Sequence, residues 1–107
     1  MKWMTKKNLN DFKRQGDTSE MSPKDIKIIV KFFNPTGGGT WYCYEYNEDE
    51  GIFWCFANLG NDDFAECGTV SEQELKDFRG MFGLGIERDL HFGTKTTLED
   101  VINFKVR

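Results

Sequence analysis

Cys43, Cys55 and Cys67 follow one another at intervals of twelve residues. Three thiolates and one imidazole form a Cys₃His donor set, the chemistry of a structural zinc site with Zn–S distances near about 2.3 Å. His91, the chain's one histidine, is the available fourth ligand. The interval has a geometric meaning. Each cysteine lies in an aromatic or β-branched stretch: Thr40-Trp41-Tyr42-Cys43-Tyr44-Glu45-Tyr46, then Ile52-Phe53-Trp54-Cys55-Phe56-Ala57, then Phe64-Ala65-Glu66-Cys67-Gly68-Thr69-Val70. Antiparallel partners are related symmetrically about the turn that joins them. A turn centred on Asp49 sets Cys43 opposite Cys55, and one centred on Asn61 sets Cys55 opposite Cys67. Paired residues share a face, so all three sulfurs would form one row across strands about 4.8 Å apart. A slip of one residue breaks that row. Two plainer readings stand beside zinc. Cysteine often serves as a small buried hydrophobe, and the spacing lacks the C-x₂-C form of recognised zinc sites. A Cys43–Cys55 disulfide is the other.

The second group with chemical potential is Glu87-Arg88-Asp89-Leu90-His91-Phe92. Arg88 suits a carboxylate or phosphate, and His91 suits proton transfer. The alternative is a local ion pair and a histidine held by hydrogen bonds. No Ser/His/Asp order, phosphate-binding loop or H-E-x-x-H helix is present, and Gly37-Gly38-Gly39 lacks the Lys-Ser/Thr that a phosphate loop requires. The third group is a run of one-signed charge. Seven acids and no base fall between Glu45 and Glu66: Glu45, Glu48, Asp49, Glu50, Asp62, Asp63 and Glu66. Such a run disfavours phosphate and suits a basic partner. Solvated hairpin turns are the bland explanation, and turns at 47–51 and 58–63 would place these acids at alternate ends of a meander. Tyr42, Tyr44, Trp54 and Phe56 would share a face as core. A base-stacking platform would need bases among them.

The elements that must carry these groups are legible in the periodicity. The stretch 5–14 reads as an N-terminal helix with Leu9 and Phe12 on one face, and 15–23 as a polar loop. Ile26-Lys27-Ile28-Ile29-Val30-Lys31-Phe32-Phe33 reads as a strand, followed by the turn 34–39. Strand, turn, strand, turn, strand over 40–70 then makes an antiparallel meander. Ser71 and Glu74 form a capping box, with Val70 and Leu75 as its hydrophobic staple. That helix runs to about Arg79, before Gly80. Residues 86–92 are extended or loop, and Leu98, Val101 and Ile102 share a stripe of a last helix that opens at 96–99. The expected fold class is α+β: a meander of about four strands with two or three short helices. One domain over 1–107 is expected, with helix and polar loop in 1–25, the meander in 26–70, and helices with an extended segment in 71–107.

Length and composition narrow the classes further. A chain of 107 residues suits one core, and 15% aromatic residues make that core aromatic-rich. No apolar run approaches the roughly 20 residues that span a bilayer. Met1-Lys2-Trp3-Met4-Thr5-Lys6-Lys7 lacks the apolar stretch of a secretory signal. A cytoplasmic location follows as the expectation, with the odd cysteine count pointing to thiols or metal ligands. The net charge of −4 hides +4 over residues 1–31 and −8 over 32–107.

Lys31-Phe32-Phe33-Asn34-Pro35, Thr40-Trp41-Tyr42 with Glu45, and Gly83-Leu84-Gly85-Ile86 leading into the Glu-Arg-Asp-Leu-His-Phe string resemble a domain-of-unknown-function family. Its members are short proteins carried by bacterial plasmids and phages. The likeness spans about residues 26–95. It implies one small α+β domain and a mobile-element setting, and it brings no catalytic residues and no cysteines with it. The functional expectation is a small acidic binding protein and not an enzyme. The concrete form is an inhibitor of a host defence nuclease, of anti-CRISPR type. It would occupy the basic nucleic-acid-binding surface of a CRISPR effector through Glu45, Glu48, Asp49, Glu50, Asp62, Asp63 and Glu66, with zinc at Cys43, Cys55, Cys67 and His91 as a stabilising option. Direct nucleic-acid or membrane binding is not expected. The alternatives are a small enzyme using Arg88, Asp89 and His91, and a metal-stabilised accessory domain.

Overall fold

The computed structural model describes residues 3–93 and 95–103, so Met1, Lys2 and the tail of the last expected segment lie outside the described residues. Five strands form one antiparallel sheet: β1 (Val30–Phe33), β2 (Thr40–Asn47), β3 (Ile52–Asn58), β4 (Glu66–Ser71) and β5 (Glu87–Arg88), in the spatial order β4-β3-β2-β1-β5. Three short helices pack on it: α1 (Lys6–Gln15), α2 (Glu72–Asp77) and α3 (Leu98–Ile102). The α+β class and the meander are as the sequence led us to expect. The sheet has a fifth strand, because Glu87 and Arg88 pair with Phe33 and Phe32.

Both faces of the sheet are covered, which explains the high aromatic content. On one face Phe12 of α1 and Leu75 of α2 pack against Phe32, Cys43, Phe53 and Cys55. On the other, Leu98 and Val101 of α3 join Ile26, Ile28, Tyr42, Tyr44 and Phe56. Strict alternation along β2 would put Tyr42, Tyr44 and Tyr46 on one face. They divide, because the register shifts between Cys43 and Glu45. This β-bulge leaves Tyr44 with Tyr42 and turns Tyr46 to stack on Phe53 at 4.5 Å between ring centres. The Tyr44 carbonyl at the bulge is taken by Gln15 Nε2 at 2.6 Å, whose amide also exchanges two bonds with Lys27.

The helix ends follow their caps. Thr5 and Asn8 form a reciprocal capping box at α1, and Thr97 and Asp100 form another at α3. The Ser71 hydroxyl accepts from the Gln73 and Glu74 amides at the start of α2. α2 ends at Asp77, short of Arg79, and its neighbour Phe78 is already extended. The strand expected over Ile26–Phe33 is regular only from Val30. Lys27 makes a single bridge to Thr97, while the Ile28 and Leu98 amides tie this segment to the start of α3. Phe64, expected in a strand, sits instead in a 3₁₀ turn over Asp62–Phe64 and is 80% exposed.

Candidate functional site

The cysteine row does not form. Cys43 does face Cys55, but Cys55 faces Gly68 and Cys67 faces Phe56. The cause is the connection between β3 and β4. Asn61 caps the 3₁₀ turn through its bond to the Asp63 amide, and Asn58 Nδ2 holds Asp62 Oδ1 at 2.7 Å. The turn centre therefore falls between Asn61 and Asp62, half a residue from the symmetric position, which slips the pairing by one residue and sends a side chain to the other face. Cys43 and Cys55 are buried in the α1/α2 core while Cys67 is exposed. Burial pushes the Cys43 thiol well up, with a further contribution from Cys55. The Cys67 thiol is also raised, mainly by burial of part of its surface.

The proposed zinc ligands are correspondingly scattered. Cys67 lies on the edge strand β4, and exposed His91 follows β5 at the opposite edge. Four strand intervals separate those edges, roughly 19 Å at about 4.8 Å each. Among the described residues no three His, Cys, Asp or Glu side chains gather as a metal-binding group. The Cys43, Cys55, Cys67, His91 set thus lacks the geometry that motivated it.

The Glu87–His91 stretch lines a shallow pocket of about 330 Å³ together with Lys31 and Phe33. Its charged groups have structural work. Asp89 Oδ2 pairs with Lys31 Nζ at 3.6 Å, and Asp89 Oδ1 accepts from the His91 amide at 2.9 Å. Arg88 Nε donates to the Trp3 carbonyl at 3.2 Å. Trp3 itself stacks on Phe32 at 4.4 Å and donates its indole N–H to Glu72. The pocket therefore ties the N-terminal segment and β5 to the sheet.

The seven acids separate into three situations. Glu45 is half-buried and accepts both the Thr18 amide and hydroxyl, at 2.9 and 2.7 Å, which pins the loop after α1. Glu48, Asp49 and Glu50 are exposed at the β2–β3 turn, with Lys13 3.9 Å from Glu48. Asp62, Asp63 and Glu66 lie at the other end, where the chain passes from β3 to β4. That second end coincides with a feature the sequence did not announce. A groove of about 360 Å³ runs between β4 and α2. Trp41, Ala57, Val70, Leu75 and Phe78 supply its apolar lining, and Leu59, 70% exposed, stands at its side. Glu66 and Glu74 are its charged residues, both exposed, and no base lines it. The loop that follows Phe78 exposes more apolar surface: Met81, Phe82 at 87%, and Leu84. Phe82 has φ 62° and ψ 17°, the left-handed region that an L-residue other than Asn or Asp rarely enters.

Two turns hold this end together. Gly38, in the β1–β2 turn, approaches the β3–β4 turn so closely that a Cβ on it would lie 2.9 Å from the Gly60 Cα. The Leu59 carbonyl borders that contact, and Asn58 holds Asp62 beside it. A sequence signal existed for part of the site: Ser71, which caps α2 by accepting from the Gln73 and Glu74 amides, placed Glu74 and Leu75, although only the Ser71 half of the expected capping box is seen, and the acids of 62–66 were visible as a run. The apolar groove itself depends on the end of α2 and on the register of β4, neither of which periodicity reveals.

Over residues 3–105 the chain matches the family described as a protein of unknown function, DUF2958, and it belongs to that family. Neither a curated protein nor a solved structure is found to match it. No helix among the described residues is long and apolar enough to cross a membrane.

Proposed function

We propose that this chain is a binding protein that docks a basic surface of a partner protein at the groove between β4 and α2. One observation carries the reading: apolar side chains and two carboxylates, with no base among the lining residues, meet in a single concave site. Leu59, Val70 and Phe78 offer area to bury, about 25 cal/mol per Å². Glu66 and Glu74 offer direction, since charges at the rim of an interface steer association and select the sign of the partner. The same acids disfavour nucleic acid as the direct ligand, because its affinity comes from neutralising phosphates. The setting we infer is the cytoplasm of a bacterial host, from the likeness to plasmid- and phage-borne proteins. A host defence nuclease fits that setting and this charge. Its nucleic-acid channel must be basic, and an acidic protein seated there excludes the substrate; a CRISPR effector is the concrete case. The enzymatic alternative is less well supported, because Arg88 and Asp89 are committed to Trp3, Lys31 and the His91 amide.

The test is inhibition of purified effector nucleases at about 50 mM and about 500 mM salt, where the screening length falls from roughly 14 to 4 Å. Inhibition that is strong at low salt, weakens at high salt and is lost in the Glu66→Lys/Glu74→Lys variant supports the reading. No binding to any basic channel at low salt overturns the nuclease version.

A further inference from the structure

The docking reading leaves open what shape of partner the groove receives, and the sheet answers that. β4 is an edge strand: in the order β4-β3-β2-β1-β5 no strand among the described residues lies outside it. An edge presents a row of backbone N–H and C=O groups ready to pair with another chain, and stable proteins blunt such edges with Pro, Lys, bulges or extreme shortness. β5, at the other edge, is blunted in that way, being two residues long. β4 is not. It runs six residues, Glu66-Cys67-Gly68-Thr69-Val70-Ser71, pairs with β3 in unbroken register and contains neither Pro nor Lys. Residues 66–69 are all exposed.

The groove lies on the face of the sheet shared with α2, directly beside this edge. Alternate residues of a strand point to one face, about 6.8 Å apart. A strand laid along β4 would therefore send every second side chain toward the groove, over Val70, Leu75 and Phe78. Charge decides among occupants. Glu66 and Glu74 stand at the groove without a base, and the chain carries a net charge of −4. A second copy would bring another net charge of −4 to the same edge, which opposes its approach, whereas a basic segment is drawn to it. A segment with apolar residues on one side and Lys or Arg among them meets both the floor and the rim.

We infer that β4 takes up an extended, basic segment of the partner as a sixth strand of the sheet, with the segment's alternate apolar side chains in the groove. Main-chain bonds then supply affinity and the groove supplies selectivity, as in other strand-addition complexes. This inference rests on the docking reading above and specifies the partner's conformation.

The probe, called the Lys/Val peptide, is a capped peptide of about eight residues, long enough to lie along a strand of usual length, whose groove-facing alternate positions carry Val in the middle and Lys at the ends, with Thr at the positions between. Three further peptides accompany it: two N-methylated at alternate positions, one in each phase, and a Glu/Val counterpart. Affinities are measured by fluorescence anisotropy at low salt. N-methylation removes donors without altering charge. One of the two phases should bind at least about ten-fold more weakly than the parent, the scale of two lost backbone bonds. The Glu/Val peptide and the Glu66→Lys/Glu74→Lys protein with the Lys/Val peptide should each show a comparable loss. If both methylated peptides bind within about two-fold of the parent, strand addition is overturned while basic docking stands. If the Glu/Val peptide binds as well as the Lys/Val one, basic docking falls too. No binding of the Lys/Val peptide overturns the inference. So does a concentration-dependent dimer in sedimentation whose β4 amides are protected from exchange without peptide, since the occupant would then be a second copy.

Discussion

Replacing Phe82 by glycine should make the protein more stable than replacing it by alanine, the reverse of the usual order. Phe82 sits at φ 62° with 87% of its surface exposed, so removing the ring sacrifices little burial. Phe82→Ala should therefore lie within about 0.5 kcal/mol of the parent. Alanine keeps the steric penalty of the left-handed region, about 1–2 kcal/mol, which glycine does not pay. Against that stands the greater freedom of glycine in the unfolded chain, about 0.4–1 kcal/mol in favour of alanine at an ordinary position. The remainder favours Phe82→Gly over Phe82→Ala by roughly 0.5–1 kcal/mol, or about 2–6 °C in Tm for a domain of this size. Differential scanning calorimetry of the two variants at equal concentration decides it. An alanine variant that melts above the glycine variant refutes a positive φ at this position in solution. A phenylalanine kept exposed on a strained turn would also mark the loop after Phe78 as selected for something other than stability.

Four further outcomes follow from the same structure. Phe53→Ala, at a fully buried ring touching Phe12, Phe32 and Tyr46, should cost about 3–5 kcal/mol in urea unfolding, and a loss below about 1 kcal/mol would contradict the packing described. Glu45→Ala strands the buried Thr18 amide and hydroxyl and should cost about 1–3 kcal/mol, whereas Asp49→Ala should be neutral by the same measurement. Under native conditions a thiol reagent should modify Cys67 alone, and slowly because its thiol is raised; Cys43 and Cys55 should react only on unfolding, so three fast thiols would be inconsistent with the register of β4. Burial pushes the Cys43 thiol and the Tyr44 and Tyr46 hydroxyls up, with Glu72 adding to the effect at Tyr46. Each folded value then exceeds the unfolded one, so the folded state binds more protons above pH 9.0–10.0 and stability should decline there as pH rises; a Tm that increases between pH 9 and 11 would contradict this.

Local chemistry was readable in the sequence wherever one segment decides its own conformation. The hairpin of β2 and β3 follows from aromatic and β-branched runs on either side of a polar turn, and the pairing of Cys43 with Cys55 came with it. The Ser71 cap located the start of α2, the spacing of Leu9 and Phe12 located α1, and Tyr42, Tyr44, Trp54 and Phe56 were recognisable as sharing one face. What failed was decided elsewhere. The Asn58–Asp62 and Asn61–Asp63 bonds shifted one turn centre by half a step, and that was enough to put Cys67 on the far face from Cys55. The bulge at Tyr44 is stabilised by Gln15, distant in sequence. β5 is too short to carry a period and exists because Phe32 and Phe33 offer it an edge. The acids between Glu45 and Glu66 were visible as a run, but only the fold shows that Glu45 serves Thr18 while Glu66 stands beside an apolar groove.

Amide-resolved NMR titration of the protein with the Lys/Val peptide at low salt tests the groove most directly. The account predicts that the largest shifts fall on the β4 amides from Cys67 to Val70 and on Leu75 and Phe78. Shifts concentrated instead on Lys31 and the Glu87–His91 stretch, or on the turn between β2 and β3, would contradict it.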